Sequence, residues 1–302
     1  MRGAFVRGVE NAKMPRMLGT LYLVSTPIGN LEDITQRAVR ILREVDLIAS
    51  EDTRHTKKLL SHFGISTRTT SYHEHNERER AEELCTLLES GRSIALVSDA
   101  GTPLINDPGF RLVSMAIERE VAVVPVPGPA AFVAALAASG LPTDQFFFAG
   151  FLPPRATARR SKLEELAGMK STLIFYEAPH RICATLRDAL ELLGDRQAVI
   201  ARELTKLHEE FSRGGLSDLV KLMSAAKTIR GEKVLLIAGA PASSASPENP
   251  ESVAGKFIER MQQLERDGVD AKSALKQAAR EMGLKRDEAY RLVLAQKNFR
   301  AK

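Results

Sequence analysis

The 302-residue chain has no tryptophan and only 5% aromatic residues, which excludes binding through ranks of exposed aromatic platforms on which bases stack. Its two cysteines, Cys85 and Cys183, form no CxxC pair and no Cys/His cluster, so a structural zinc site is excluded and no metal is expected. Each lies in a helix-like apolar pattern, where it packs as a small hydrophobe, and nothing demands an oxidising compartment. A Walker A sequence, an HExxH pair and a GxGxxG after the first apolar run are all missing, which removes the common phosphate-loop, zinc-protease and dinucleotide readings. The longest uncharged run, residues 121–143, has the length of a membrane span but is broken by Pro125, Pro127, Gly128 and Pro129. A strand, a turn and a short helix fit it better, so no membrane partner is expected and the location is cytoplasmic. Residues 1–16 lack the apolar core and small-residue cleavage site of a signal peptide; they read as a disordered extension, or as an upstream start before Met17.

What is present is ordinary for a soluble globular protein: 44% apolar residues, 27% charged and a net charge of +5, which mildly favours a polyanionic partner. Apolar runs alternate with helical periodicity. Strands are expected at 21–24, 47–49, 69–72, 94–97 and 121–126, with helices at 34–45, 53–63, 77–89, 110–118 and 129–139. This rhythm predicts an α/β fold with a mainly parallel, doubly wound sheet. A second α/β unit follows, with strands at 146–149, 172–176, 198–201 and 234–238, a hairpin strand at 209–212 and a mixed sheet. The expected divisions are an N-terminal extension at 1–16, α/β domains at 17–127 and 128–240, a Pro/Ser/Ala linker at 241–250, and a basic all-helical domain at 251–302. From Ala271 onward that tail holds nine Lys/Arg against three acidic residues, a concentration suited to a phosphate backbone. Ala279, Gly283 and Leu292 fit a helix-turn-helix, and a plain helical hairpin fits as well.

Three strand ends carry Pro, Gly and small residues: Ser25-Thr26-Pro27-Ile28-Gly29-Asn30-Leu31, the stretch 98–109 that includes Asp99-Ala100-Gly101-Thr102-Pro103, and Pro127-Gly128-Pro129-Ala130-Ala131. Loops at the carboxyl ends of parallel strands build ligand crevices, and small residues let a ligand approach the backbone. In the second loop Asp107 is expected to cap the following helix, with Pro108 at its first position.

These loops, with Ser50-Glu51-Asp52-Thr53-Arg54-His55-Thr56 and Phe175-Tyr176-Glu177-Ala178-Pro179-His180-Arg181, resemble the tetrapyrrole-methylase superfamily, in particular its branch acting on ribosomal RNA. The resemblance runs from about Leu18 to the C-terminus and takes in Ala201-Arg202-Glu203-Leu204-Thr205-Lys206. It implies two α/β domains with S-adenosylmethionine in the cleft between them, a homodimer, and 2′-O-methylation of a cytidine in the decoding region of 16S rRNA, within the small ribosomal subunit. By position, Pro27, Gly101, Thr102, Ile105, Ala130 and Ala131 fall where relatives contact the methyl donor, with Asp99 and Gly128 in the same loops. Tyr176, Glu177 and Leu204 are the matching candidates in the second domain. Small-molecule methylases of the superfamily tend to carry Gly-Asp-Pro where this chain has Gly101-Thr102-Pro103, a departure that favours RNA.

Methyl transfer to a ribose hydroxyl needs an in-line nucleophile and gains from a general base, while the neutral leaving group needs no metal. Glu51 or Asp52 is the expected base or orienting carboxylate, with Arg54 on an RNA phosphate. Asp52 serves equally as a helix cap with Arg54 in an exposed ion pair. His73 and His75 read better as solvated loop residues. Asn106 suits either the base or ribose or its own turn, and His180 and Arg181 suit either a helix start or a phosphate. Two rival functions stay open: a methylase of a small acidic substrate, and a ligand-responsive nucleic-acid-binding regulator.

Overall fold

The computed structural model describes residues 17–226, 228–241, 250–282 and 289, so the expected extension at 1–16, most of the linker and the second half of the expected helix-turn-helix lie outside the described residues. Five strands, β1 (Thr20–Val24), β2 (Leu47–Ser50), β3 (Thr69–Ser71), β4 (Ile94–Val97) and β5 (Ala122–Val126), form a sheet in the order β3-β2-β4-β1-β5. Every pairing in it is parallel, as the alternating rhythm predicts. β5 lies at an edge, which is why the strand tolerates Pro125, a residue with no N–H to give a ladder.

Helices α1 (Gln36–Glu44) and α2 (Thr53–His62) cover one face of this sheet, and α3 (Glu77–Glu89) and α4 (Phe110–Glu118) the other. Leu21, Leu96 and Leu112 are buried in the second of these layers, each burial contributing about 2 kcal/mol. Thr35 starts α1 by accepting the Ala38 N–H at 3.0 Å. The start of α4 departs from expectation. Asp107 does not cap it: Gly109 holds the N-cap position at φ +145°, and a Cβ there would lie 2.9 Å from Leu96 Cδ2. The N–H groups of Gly109 and Arg111 at the helix start donate instead to Glu77 Oε1 on α3, at 3.2 and 3.4 Å. A carboxylate from a neighbouring helix thus does the capping, and Asp107 is left free to face elsewhere.

Helix α5 (Ala131–Ser139) follows β5, then β6 (Phe146–Phe151), α6 (Ala156–Leu166), β7 (Thr172–Glu177), α7 (Ile182–Leu193), β8 (Gln197–Arg202), β9 (Glu210–Gly215), α8 (Leu216–Ala225) and β10 (Lys233–Ile237). Their sheet has the order β6-β7-β10-β8-β9 and is mixed, with only the β6–β7 pair parallel. Helices α6, α7 and α8 pack on one face. The other face is closed by α5, whose Ala135 and Leu136 pack against Ile174, Val199 and Leu236. Both sheets belong to one compact unit, Met1–Ala240.

The second compact unit, Pro241–Lys302, contains α9 (Pro250–Arg266) and α10 (Ala271–Glu281). Asp270 caps α10 by accepting the Lys272 and Ser273 N–H groups, both at 3.1 Å. Phe257 and Leu264 on α9 pack against the small side chains Ala274 and Ala278, and Arg260 pairs with Glu281 at 2.7 Å. Lys272, Lys276 and Arg280, spaced by one helical turn each, form an exposed basic stripe on α10.

Candidate active site

Strands β4, β1 and β5 are neighbours, so the three small-residue loops emerge side by side. They are stapled together. Thr26 and Gly101 exchange backbone hydrogen bonds at 2.9 and 3.0 Å, Ser25 Oγ lies 2.9 Å from Thr102 Oγ1, and Thr102 donates to the Pro129 carbonyl at 3.2 Å. The loop after β4 holds Leu104 at φ 72° and Asn106 at φ 69°, and the loop after β8 holds Glu203 at φ 52° and Thr205 at φ 65°. Such left-handed conformations are costly for side-chain-bearing residues and collect at functional loops.

Between these loops and the second sheet lies a cavity of about 420 Å³. From the loop after β4 it is lined by the expected Asp99, Gly101, Thr102, Ile105 and Asn106. Ala130 and Ala131, at the start of α5, form a second wall. Tyr176, Glu177 and Leu204 line it from the second sheet. Asn106 reaches across to that sheet: its amide rests against Gly150, where a Cβ would fall 2.3 Å from Asn106 Oδ1. Tyr176 is held edge-on by Phe148 at 5.0 Å between ring centres. Pro27 lies outside this cavity, lining a second one of about 290 Å³ that also takes in Asp99. Gly128 lines neither and packs against Ser25.

The carboxylates divide sharply in character. Asp52 caps α2 by accepting the Arg54 N–H at 2.8 Å, and its other oxygen pairs with the Arg54 guanidinium, also at 2.8 Å. Those bonds from Arg54 hold its carboxyl far below the usual range, and Arg54 itself is 89% exposed. Asp52 also donates its own N–H to Asp99 Oδ1 at 3.0 Å, which ties the α2 terminus to the cavity wall. Glu51 lines neither cavity, but partial burial and the neighbouring Asp99 push its pKa up. Asp107 lines the larger cavity and is the residue that sequence reasoning missed. Burial first, and the charge of Glu51 next, push its pKa up to about 6, against a hydrogen bond from Ser98. The missed signal was already in the chain: Asp107 follows the Gly101-Thr102-Pro103 loop, and only the local capping pattern drew it into a structural role.

Glu177 also lines the cavity, yet its oxygens are committed. It accepts the Thr185 hydroxyl at 2.5 Å and the Ala178 N–H at 2.9 Å, and it pairs with Arg181 at 3.2 Å. Arg181 is turned inward, donating to the Leu152 and Pro153 carbonyls at 2.6 and 3.2 Å, so it is not presented to a phosphate. His180, like His73 and His75, lines neither cavity. Two lysines were also missed. Lys206 lies across Gly29 and pairs with Glu203 at 3.2 Å. Lys233 is 3% exposed, with its ammonium donating to the Arg230 and Gly231 carbonyls at 2.6 and 2.8 Å, and burial lowers its pKa.

A family model described as Tetrapyrrole (Corrin/Porphyrin) Methylases matches residues 20–220, a span that contains both sheets up to α8 and every lining residue discussed above except Lys233. The chain belongs to the tetrapyrrole methylase family. Among its relatives, the ribosomal RNA small subunit methyltransferase I of Halalkalibacterium halodurans is 50% identical over 277 residues, covering 91% of this chain and 94% of that one. The enzyme of the same name from Vibrio cholerae is 53% identical over 232 residues, 76% of this chain and 81% of that one. Solved structures share the fold at lower identity. Uroporphyrin-III-C-methyltransferase from Thermus thermophilus superposes with a TM-score of 0.54 at 19% identity, covering 73% of this chain and 94% of that one. Diphthine synthase does so with a TM-score of 0.55 at 16% identity, covering 73% and 90%. At these identities the likeness shows a shared fold, and what each protein modifies is set by its own site.

Proposed function

We propose that this tetrapyrrole methylase transfers the methyl group of S-adenosylmethionine to the 2′-hydroxyl of a cytidine in the decoding region of 16S rRNA, within the small ribosomal subunit. The observation that carries the reading is the cavity above β4, β1 and β5, whose stapled backbone walls, with Asp99 and Asp107 in no ion pair among the described residues, suit a compact cationic ligand. The names of the half-identical relatives, which match over nine-tenths of the chain, support RNA as the acceptor. The exposed stripe Lys272, Lys276 and Arg280 supplies phosphate contacts.

The residues present fit S-adenosylmethionine chemically. Asp99 and Asp107 offer negative charge to a sulfonium and an ammonium, Lys206 offers positive charge to a carboxylate, and Ile28, Leu204 and Val234 offer apolar surface to an adenosine. When bound, this donor supplies an electrophilic methyl carbon whose leaving group departs as a neutral thioether. The chain's own part is to position the ribose hydroxyl and take its proton. Asp107 is the group poised for that task, because a carboxyl titrating near 6 is ionised at neutral pH yet more basic than an ordinary aspartate. Glu51 raises the Asp107 pKa by its charge, which makes it a positioning residue in this scheme. Asp52, locked to Arg54, is a poor base. Asn106, seated against Gly150, fixes the loop that presents Asp107.

Among the described residues no helix is long and apolar enough to cross a membrane. A cytoplasmic site of action, where ribosomal subunits are assembled, follows from the proposed substrate. Exposed Phe110 and Ile117 on α4 suit a contact with a second copy, and we take the working form to be a homodimer. The test is incubation of the protein with methyl-labelled donor and either isolated small subunits or free 16S rRNA, followed by mapping of the label. Label on a ribose oxygen of one cytidine is the expected result. Label on a base atom, or on neither RNA, overturns the reading.

A further inference from the structure

The second cavity, of about 290 Å³, has no part in holding the methyl donor as described above, yet it shares Asp99 with the cavity that does. The two lie on either side of the loop after β1, with Ile28 lining the larger one and Pro27 and Gly29 the smaller. Its side walls are apolar, made by Pro27, Leu31 and Leu59. Its polar side chains are Asp99, Thr56, Lys58, the exposed His55, and Thr26 and Ser98, whose hydroxyls already donate to the Ser98 and Gly101 carbonyls at 3.1 and 3.3 Å. Thr56 is 3% exposed, and its hydroxyl has no hydrogen-bond partner among the described residues. An unpaired buried hydroxyl costs free energy, and a site that leaves one beside a cavity is complete only when something enters and accepts from it.

We propose that this second cavity receives the base of the target nucleotide, turned out of its stack, and selects cytosine there through Asp99, Thr56 and Lys58. The inference rests on the RNA-methylating reading above and adds to it where the base goes and what chooses it. Apolar walls hold the faces of a base, and edge groups read its donors and acceptors. Cytosine brings an exocyclic amine, which donates to the Asp99 carboxylate, and a ring nitrogen and a carbonyl oxygen, which take hydrogen bonds from the Thr56 hydroxyl and the Lys58 ammonium. Uracil would set a carbonyl against the carboxylate and an N–H against the ammonium, so it is rejected by repulsion as well as by lost bonds. A phosphate fits less well. Asp99 would repel it, and the α2 terminus beside the cavity is already capped by Asp52, which accepts the Arg54 N–H at 2.8 Å.

The test measures single-turnover methyl transfer to small subunits carrying cytidine, or uridine, at the modified position, for the intact protein and for Asp99→Asn and Thr56→Val. The quantity read is the cytidine-to-uridine rate ratio, which cancels losses of donor binding or folding common to both substrates. The intact protein should favour cytidine by more than about a hundredfold, and Asp99→Asn, whose amide can both donate and accept, should cut that ratio by at least about tenfold. Thr56→Val should slow transfer to cytidine by about tenfold while leaving thermal stability equal or higher, because it removes a hydroxyl that the fold does not use. An unchanged ratio in Asp99→Asn, with transfer to cytidine intact, overturns the base pocket and leaves the methylation reading standing. Tighter RNA binding by Asp99→Asn with no change of ratio also overturns it, and indicates a phosphate instead. Failure of the intact protein to label either subunit overturns both.

Discussion

The two sheets of the α/β unit treat their buried charges in opposite ways. In the second sheet the carboxylates are neutralised locally: Glu177 is met by Thr185, Ala178 and Arg181, and Asp188 pairs with both Arg159 and Arg160, at 2.7 and 3.1 Å. At the ends of the first sheet burial, and then the like charges of Glu51 and Asp99, raise the proton affinity of Asp107. Satisfied networks rigidify, and carboxylates crowded by like charge are held ready for chemistry. The second sheet is thus the wall against which the loops of the first are held, through contacts such as Asn106 on Gly150.

This contrast can be broken most forcefully at Asp107. Asp107→Asn should lower the rate of methyl transfer by about a hundredfold or more, in line with loss of a general base, while calorimetry still detects donor binding. The same variant should be more stable than the intact protein at pH 7.5. The folded-state pKa of Asp107, about 6, lies above the ordinary aspartate value of 3.8, so stability falls as pH rises through that window and stays lower above it. Chemical denaturation at pH 4 and at pH 7.5 would check the sign, and a variant less stable at pH 7.5 would refute it. Reversing the α10 stripe, Lys272→Glu with Lys276→Glu and Arg280→Glu, should weaken RNA binding by about ten- to a hundredfold at moderate salt and flatten its salt dependence, leaving donor binding alone.

On the other side of the contrast, Glu177→Gln should cost about 2 kcal/mol of stability, since it weakens charge-assisted bonds to Thr185 and Arg181, with a change in turnover of only a few-fold. A loss of activity far exceeding the loss of folded protein would move Glu177 into the chemistry. The smallest effect is expected at Arg54→Ala, a few-fold rise in KM for RNA, because the exposed guanidinium is shared with Asp52.

Much of this arrangement was legible in the residues. Alternating apolar runs located the ten strands of both sheets to within a few residues, and the Pro/Gly signatures after three of them marked loops that the strand order brings together. The resemblance carried by those loops led to the cavity residues Asp99, Gly101, Thr102, Ile105, Ala130 and Ala131. What was not legible depends on partners distant in sequence. Asp107 followed by Pro108 has the local pattern of a helix cap, and only the Glu77 carboxylate, thirty-two residues away from Gly109, relieves it of that duty. Arg181 has the look of a phosphate ligand until the Leu152 and Pro153 carbonyls are found around it. Pro27 stands in a loop whose successive residues face different cavities, so sequence position alone could not assign it to one of them.

The most direct test of Asp107 as the proton acceptor is the pH dependence of single-turnover methyl transfer to small subunits, measured for the intact protein and for Asp107→Asn. The intact protein should lose activity on acidification with a midpoint near 6, and the variant should be slow at every pH with that limb gone. A variant that keeps both the rate and the limb would contradict the assignment.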